Sequence, residues 1–244
     1  MTTLLLRPKE KLQASVRFMQ QAGIQTVGVG LIEIERNQPE IDKFKQQISN
    51  LCVAQQKDVH CIFVSTHAAD TIVDHVFNWP QGVHTYAVGP STARHLGPLG
   101  IAIETPNESN SEGLLALKSL QNIKDKTVFI LKGVGGRPLV PTELTARGAI
   151  VREIDLYQRL RCSPTVETQQ WQPHEITCAV ATSGEIIQAA WDEYDHSWLK
   201  SLPLIVVSRR LVDFAAKLGL NNVIQSAGAS DAQLKDAIND FLEH

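Results

Sequence analysis

Serine and threonine residues recur at one kind of position in this sequence, directly after a short apolar segment or at the start of the next segment. The residues that share this position are Ser65, Thr66, Ser91, Thr92, Ser111, Thr182, Ser183 and Ser208. If the apolar segments are parallel strands, these hydroxyls lie at the carboxyl edge of a sheet, where helix N–H groups and helix dipoles attract anions. The pattern therefore predicts a ligand with several carboxylates. A purely structural role as helix N-caps fits the same residues equally well.

The motifs that would indicate a nucleotide, a metal or an activated nucleophile are incomplete. The glycine-rich run 132–137 lacks the Gly-Lys-Ser/Thr ending of a phosphate loop, and Pro138 interrupts the dinucleotide-binding pattern. The four cysteines form no C-x-x-C pair, and no Ser-His-Asp triad or G-x-S-x-G elbow can be assembled. We therefore expect a protein that uses no metal and no other cofactor.

Short apolar, β-branched segments alternate with segments of helical periodicity along the chain. The predicted strands cover residues 4–6, 27–34, 61–65, 85–88, 101–104, 127–131, 150–156, 178–182, 204–207 and 223–225. Between them, apolar residues recur at helical spacing, as at Ile72, Val73, Val76 and Phe77. This alternation is typical of an α/β fold with a parallel sheet and helices on both faces.

The second half of the chain repeats the pattern of the first. Segments 4–6 and 27–34 correspond in order and spacing to segments 129–131 and 150–156. The predicted strands therefore divide into two sets of five. This division predicts two flavodoxin-like, doubly wound parallel-sheet domains joined by two linkers.

The two predicted linkers are polar, proline-bearing stretches near residues 36–40 and 161–165, each after the second strand of its half. If the chain crosses between domains there, residues 1–35 and 166–244 form one domain and residues 37–160 form the other. Without a crossing, each half is contiguous. The periodicity leaves both arrangements open.

Composition and charge exclude several classes of protein. The chain has 244 residues, 43% of them hydrophobic and 20% charged, which is enough to bury one large or two small cores. Its 23 basic and 26 acidic residues give a net charge of −3, so nucleic acid and anionic membranes are not expected partners. No apolar run has the length of a membrane span or a signal peptide, and we expect a cytoplasmic protein.

Several short stretches, in their order and spacing, resemble the uroporphyrinogen-III synthase family over essentially the whole chain. They are residues 6–8 (Leu-Arg-Pro), 63–65 (Phe-Val-Ser), 87–93, 106 with 111–115, 132–137, 144–149 and 157–159 (Tyr-Gln-Arg). The resemblance implies the crossed connectivity, with 1–35 plus 166–244 as the first domain and 37–160 as the second. It places the active site in the cleft between the domains.

The resemblance also implies a reaction. The family cyclises linear hydroxymethylbilane to uroporphyrinogen III, with loss of water and inversion of ring D through a spiro intermediate, in heme and siroheme biosynthesis. The implied protein is a monomeric carbon–oxygen lyase without a cofactor, which receives the bilane from the enzyme that makes it. The carboxylates of this substrate fit the hydroxyl-rich sheet edge.

The resemblance singles out two catalytic candidates. Tyr157 best matches the family's active-site tyrosine, and its phenol can donate a proton to the leaving hydroxyl. Thr92, at the start of a helix, is predicted to direct its hydroxyl into the same cleft. The predicted substrate-binding residues are Arg7, Ser65, Thr66, Ser91, Ser111, Arg137, Ser183 and Ser208.

Two stretches depart from the family pattern. Residues 63–67 read Phe-Val-Ser-Thr-His where relatives often have Phe-Thr-Ser-x-Asn, and residues 207–210 read Val-Ser-Arg-Arg where many have a Gly/Thr-rich turn. The added arginines favour carboxylate binding.

The alternative function is a two-lobed α/β binding protein for a polyanionic small molecule, without catalysis.

Overall fold

A computed structural model describes residues 1–75 and 78–243. The chain divides into two compact units, one formed by Met1–Ile34 with Leu160–His244 and the other by Glu35–Arg159. The chain therefore passes from one unit to the other twice. Val76 and Phe77, predicted to continue an apolar helix stripe, lie outside the described residues.

Strands and helices alternate through both units. The strands are β1 (Thr2–Leu6), β2 (Thr26–Arg36), β3 (Val59–Phe63), β4 (His84–Ala87), β5 (Thr127–Gly133), β6 (Ile150–Glu167), β7 (Ile176–Ala181), β8 (Leu204–Val206) and β9 (Val223–Gln225). The α-helices are α1 (Lys9–Gln21), α2 (Gln38–Ser49), α3 (Val53–Gln56), α4 (Thr66–His75), α5 (Pro90–His95), α6 (Ser111–Leu115), α7 (Leu139–Ala146), α8 (Gly184–Glu193), α9 (His196–Ser201), α10 (Arg209–Lys217) and α11 (Asp231–Leu242). The predicted α/β class with a mostly parallel sheet is confirmed.

In the unit formed by both chain ends, the strand order is β2-β1-β7-β8-β9. The β1–β2, β1–β7, β7–β8 and β8–β9 pairs are all parallel. Leu4 and Leu6 pack on one face with residues of α8 and α10, and Leu5 packs on the other with residues of α1 and α11. Because helices cover both faces, three apolar residues, Leu4, Leu5 and Leu6, follow one another in β1 without alternating with polar residues.

In the Glu35–Arg159 unit, the strand order is β4-β3-β5-β6, again with parallel pairs. Ile62, Val128 and Ile130 pack with residues of α6 and α7 on one face. On α2, the Phe44 ring contacts Phe129 edge-on, with the ring centroids 5.3 Å apart. This sheet also has helices on both faces.

The predicted strand 101–104 is wrong. Only Glu104 bridges to Tyr86, through bonds from the Glu104 amide to the Thr85 carbonyl (2.9 Å) and from the Ala87 amide to the Glu104 carbonyl (3.0 Å). Pro106 has no N–H to donate, so the ladder along β4 stops there. Numbered along the chain from β3, with the Glu104 bridge counted as the third strand, this unit has the order 3-2-1-4-5. The predicted flavodoxin-like order is 2-1-3-4-5.

The segments predicted as linkers have regular secondary structure. Arg36 ends β2, and α2 begins at Gln38, with the Asn37 side chain accepting a hydrogen bond from the Glu40 amide. Residues 161–165 lie inside β6. Proline is compatible with the first turn of a helix and with exposed strand positions, so it does not mark a loop here.

No helix in the described ranges is long and apolar enough to cross a bilayer.

Candidate active site

Tyr157 lies at a β-bulge in β6. In the pairing of β5 with β6, Lys132 is opposite Asp155 but Gly133 is opposite Tyr157, which leaves Leu156 as an extra residue. A bulge interrupts the alternation of side chains between the two faces of a strand. As a result, the adjacent Leu156 and Tyr157 side chains are both buried. The strand does not end at Leu156, as predicted, but continues to Glu167.

The Tyr157 ring packs directly against the backbone of Gly133. A Cβ atom at Gly133 would lie 2.5 Å from Cε2 and 2.6 Å from Cζ of that ring. The Val134 amide donates a 2.8 Å hydrogen bond to the Tyr157 carbonyl just beside it. The end of β5 therefore fixes both the backbone and the ring of Tyr157, and only glycine leaves space for the ring.

The Tyr157 hydroxyl has two polar partners. It lies 3.0 Å from Ser65 Oγ and accepts a 3.2 Å hydrogen bond from Arg159 Nη2. Ser65 follows β3, and its Oγ also accepts a 3.1 Å bond from the Ala68 amide in the first turn of α4. The Ser65 hydroxyl is thus both a helix cap and a partner of the phenol.

His67 on α4 contacts the Tyr157 ring. The His67 ring meets the Tyr157 ring at a steep angle, with centroids 5.6 Å apart and planes at 61°. His67, the residue that departs from the expected family pattern, thus contributes an aromatic contact. Thr66 is the first residue of α4 and is half-buried.

The remaining predicted hydroxyls of this unit lie at helix starts. Ser91 is exposed on α5, whereas Thr92 is only 4% exposed. Ser111 is the first residue of α6, but the capping side chain is Asn110, which accepts a 2.6 Å bond from the Gly113 amide. Ser111 is therefore not needed as the cap.

Arg137 forms an exposed ion pair. Its Nη2 donates to Glu112 Oε1 at 2.8 Å. A hydrogen bond from the Glu112 backbone amide and the bond from Arg137 lower the pKa of the Glu112 carboxyl. The carboxylate is thus ionised at neutral pH, and a substrate carboxylate would compete with it for Arg137.

Lys132, on the same sheet edge, is held by acidic neighbours. Its Nζ lies 3.1 Å from Glu153 Oε2 and 3.2 Å from Asp155 Oδ1, and it donates to the Gly135 carbonyl at 3.0 Å. Burial acts to lower the pKa of Lys132, but the bonds to Glu153 and Asp155 outweigh it and the pKa is raised. The ammonium group therefore remains charged and does not serve as a base.

Two of the predicted site residues of the other unit, Arg7 and Ser183, already have structural roles. Arg7 is 7% exposed and forms an ion pair with Asp231 at the start of α11. Burial lowers the pKa of the Arg7 guanidinium, although Asp231 opposes this effect. Ser183 caps α8 by accepting a 3.3 Å bond from the Ile186 amide. Ser208 precedes α10 at the N-cap position, and its side chain makes no capping bond there.

A cavity of about 420 Å³ opens between the starts of α8 and α10, near Ser183 and Ser208. Its lining residues are Gly184, Glu185, Gln188, Arg210, Leu211 and Phe214. Leu211 and Phe214 make part of this lining apolar, and Arg210 and Glu185 add side chains of opposite charge.

Among residues 1–75 and 78–243, no group of three or more histidine, cysteine or acidic side chains is arranged to hold a metal ion. Cys61, Cys162 and Cys178 are buried free thiols, and Cys52 is an exposed one.

The structure brings together two of the predicted residues, Tyr157 and Ser65. The sequence interpretation missed Gly133 and Arg159 as their direct partners. Arg159 lies two residues after Tyr157 on one strand, a spacing that places side chains on the same face. That spacing could have identified it. Nothing local could have identified Gly133, because its role depends on a ring that arrives from another strand.

Comparisons with known proteins agree with the family resemblance of the sequence. The family model for uroporphyrinogen-III synthase HemD matches residues 13–235. The uroporphyrinogen-III synthase of Escherichia coli K12 is 38% identical over 168 residues, which is 66% of this chain and 68% of that protein. That of Salmonella typhimurium LT2 is 37% identical over 169 residues, or 66% and 69%.

Solved structures of the same enzyme have a similar fold. A mutant uroporphyrinogen III synthase from Thermus thermophilus aligns over 100% of both chains with a TM-score of 0.66 at 12% identity. The Helicobacter pylori 26695 enzyme aligns over 100% of this chain and 99% of its own, with a TM-score of 0.61 at 13% identity. From the family match and the sequence relatives together, the chain belongs to the uroporphyrinogen-III synthase family of cyclising lyases in tetrapyrrole biosynthesis.

Proposed function

We propose that Tyr157 donates the proton that allows hydroxide to leave as water when hydroxymethylbilane is cyclised to uroporphyrinogen III. One observation carries this proposal: the Tyr157 hydroxyl lies at the carboxyl edge of its sheet, between Ser65 and Arg159. Ligands of open α/β sheets bind at that edge. A phenol held there by two neighbours is positioned for acid catalysis.

In the proposed step, one proton moves from the phenol to the leaving hydroxyl. The phenol proton moves to the hydroxyl oxygen on the ring A methylene, and the carbon–oxygen bond breaks so that its electron pair leaves with water. The lone pair of the ring A pyrrole nitrogen stabilises the resulting carbocation. Ring D then attacks through its substituted carbon and forms the spiro intermediate. The bond from that carbon to the methylene of ring C breaks, the methylene rejoins ring D at its free α-carbon, and the proton lost from that carbon returns to the phenolate.

Substrate binding is assigned to the polar residues at the sheet edges of each unit. We propose that carboxylates of the bilane bind Arg7, Ser65, Thr66, Ser91, Ser111, Arg137, Ser183 and Ser208, and that Thr92 assists Tyr157. Support differs among them. Ser65 contacts the phenol directly, whereas Arg7 is engaged by Asp231 and Thr92 is almost fully buried. Exposed Ser91 and Arg137 are the more accessible candidates.

We further propose that the unit formed by both chain ends has a flavodoxin-like fold. Numbered within this unit, its strands run 2-1-3-4-5, the order of flavodoxin, and this supports the assignment. We also propose two domains, one formed by residues 1–35 with 166–244 and the other by residues 37–160. The division of the compact units after Ile34 and after Arg159 supports them. Action as a monomer and handover of the bilane from the preceding enzyme remain predictions.

The first test is Tyr157→Phe, assayed with freshly made hydroxymethylbilane and separation of the type I and type III products. Loss of one positioned proton donor should reduce formation of the type III product by about 10–100-fold. The matched control is Tyr194→Phe, which removes a buried hydroxyl without a hydrogen-bond partner among the described residues.

Tyr194→Phe should keep its rate, and both variants should keep a normal melting curve. If Tyr157→Phe loses stability but retains full turnover, Tyr157 only packs the structure and the proposed acid role is wrong. The same assay separates the enzyme from the alternative, since a non-catalytic binding protein would form no type III product.

A further inference from the structure

Arg159 is bound to Tyr157 in two ways. Its Nη2 donates to the phenol oxygen at 3.2 Å, and its Cζ lies 5.3 Å from the centroid of the same ring. Both residues lie on β6, two positions apart, and Arg159 is exposed.

The donors and acceptors at the Tyr157 phenol oxygen indicate what Arg159 contributes. A phenol has one proton to donate and two lone pairs that accept. A guanidinium can only donate, so the bond from Arg159 fills one lone pair of Tyr157. Ser65 Oγ already accepts the Ala68 amide, and its own proton can fill the second lone pair at 3.0 Å. The phenol proton is then left free to point away from both neighbours.

We propose that Arg159 is a positioning residue for the cyclisation, acting through Tyr157. It orients the phenol so that the proton points to the leaving hydroxyl of the bilane. Once the proton has moved, its positive charge stabilises the phenolate. This inference rests on the acid role proposed for Tyr157.

The charge of Arg159 matters most after proton transfer. Before transfer, the bond joins a cation to a neutral oxygen, and after transfer it joins a cation to an anion. Charge-assisted hydrogen bonds are about twice as strong as neutral ones. The interaction is therefore stronger in the transition state than in the ground state, which is the condition for raising kcat without changing KM.

The test compares Arg159→Met and Arg159→Lys with the native protein. Arg159→Met should lower kcat about 10-fold or more, while KM changes by less than about twofold. Arg159→Lys keeps the charge but loses the planar guanidinium, and we expect it to recover part of the lost kcat. The control is Arg161→Met, two positions further along β6, where the exposed arginine pairs with Glu193. It should leave kcat unchanged.

A double-mutant cycle separates this inference from the proposed role of Tyr157. In the Tyr157→Phe background, Arg159→Met should cause no further loss of kcat, because the group that it positions is gone. If Tyr157→Phe is slow but Arg159→Met is as fast as the native protein, only the inference about Arg159 fails. If Tyr157→Phe itself is fully active, the proposed acid role fails first.

Two other outcomes would also overturn the inference. Equal losses from Arg159→Met in both backgrounds would show that Arg159 acts independently of the phenol. A rise in KM with kcat unchanged would show that it binds a substrate carboxylate instead.

Discussion

At the scale of single residues, Gly133 determines where the Tyr157 ring can lie. Its Cα hydrogen faces the ring, and any Cβ atom there would overlap Cε2 and Cζ of the phenol. Gly133 does not have a positive φ angle, so a side chain would strain no backbone torsion. The need for glycine at this position arises from the ring contact alone.

Gly133→Ala should therefore displace the ring and pull the hydroxyl away from Ser65 and Arg159. We expect kcat to fall about 10-fold or more, with a loss of about 1–3 kcal/mol in the free energy of unfolding from overpacking. Steady-state kinetics and urea unfolding measure the two effects. Gly97→Ala is the control, because a Cβ there meets no atom within 4 Å. Normal kinetics for Gly133→Ala would show that the observed ring position is not required.

His60 is a second residue whose surroundings determine its chemistry. It is 5% exposed, its Nδ1 lies 3.0 Å from the Tyr86 hydroxyl, and its ring stacks on His84 with centroids 4.7 Å apart. Burial, followed by the charges of His84 and Lys126, lowers the pKa of His60 to about 4, and Asp58 only partly opposes them. The folded protein thus holds His60 neutral at pH values at which the unfolded chain protonates it.

In the unfolded chain, the His60 imidazole binds a proton below its ordinary pKa of about 6.5. The free energy of unfolding should therefore fall as the pH decreases from about 6.5 to 4. For this group alone the loss should reach about 3 kcal/mol. Urea unfolding across this range should give a smaller pH dependence for His60→Gln than for the native protein. The exposed His174→Gln variant should keep the native pH dependence. An unchanged pH slope in His60→Gln would contradict the prediction.

At the scale of elements, the start of α8 has one observed task and one proposed task. Ser183 caps α8 through the Ile186 amide and also belongs to the proposed carboxylate-binding residues. Capping requires only an oxygen acceptor, whereas binding a carboxylate requires a donor and no negative charge. Substitution with an acidic residue separates the two tasks.

Ser183→Asp should keep the cap and raise KM. Because aspartate is as good an N-cap as serine, we expect the melting temperature to remain close to native. Its charge should repel the bilane carboxylates, and KM should rise several-fold with little change in kcat. Ser183→Ala is the complementary variant, with about 1 kcal/mol lost from the free energy of unfolding. A native KM in Ser183→Asp would restrict Ser183 to its structural role.

Strand positions could be predicted well because most strands are buried on both faces. Residues 4–6 and 178–181 are apolar without interruption, and an apolar run of this length indicates a buried parallel strand. The second half of β6 could not be recognised, since its exposed positions carry Arg161, Ser163 and Pro164. The bulge before Tyr157 leaves no sequence signal either, because it depends on the register with β5.

At the scale of the whole molecule, the repeat in the sequence predicted the number of units but not their connectivity. Each half contains comparable strand and helix segments, and local periodicity is the same whether or not the chain crosses. The resemblance, not the periodicity, favoured the crossed arrangement.

The candidate site could be predicted only in part, because local pattern does not show tertiary contacts. Tyr157 and Ser65 follow strands that local pattern identifies, whereas their partners depend on tertiary contacts.

The discontinuous unit also has a consequence for the order of events during synthesis. Thr3 on β1 and Cys178 on β7, whose side chains lie 3.5 Å apart, are separated by 175 residues. At ribosomal rates of about 5–20 residues per second, synthesis of the chain between β1 and β7 takes roughly 10–35 s. The whole Glu35–Arg159 unit emerges in that interval and can fold first. Until then the edge of β1 that pairs with β7 stays open, and open strand edges in nascent chains are prone to the wrong pairings that chaperones prevent.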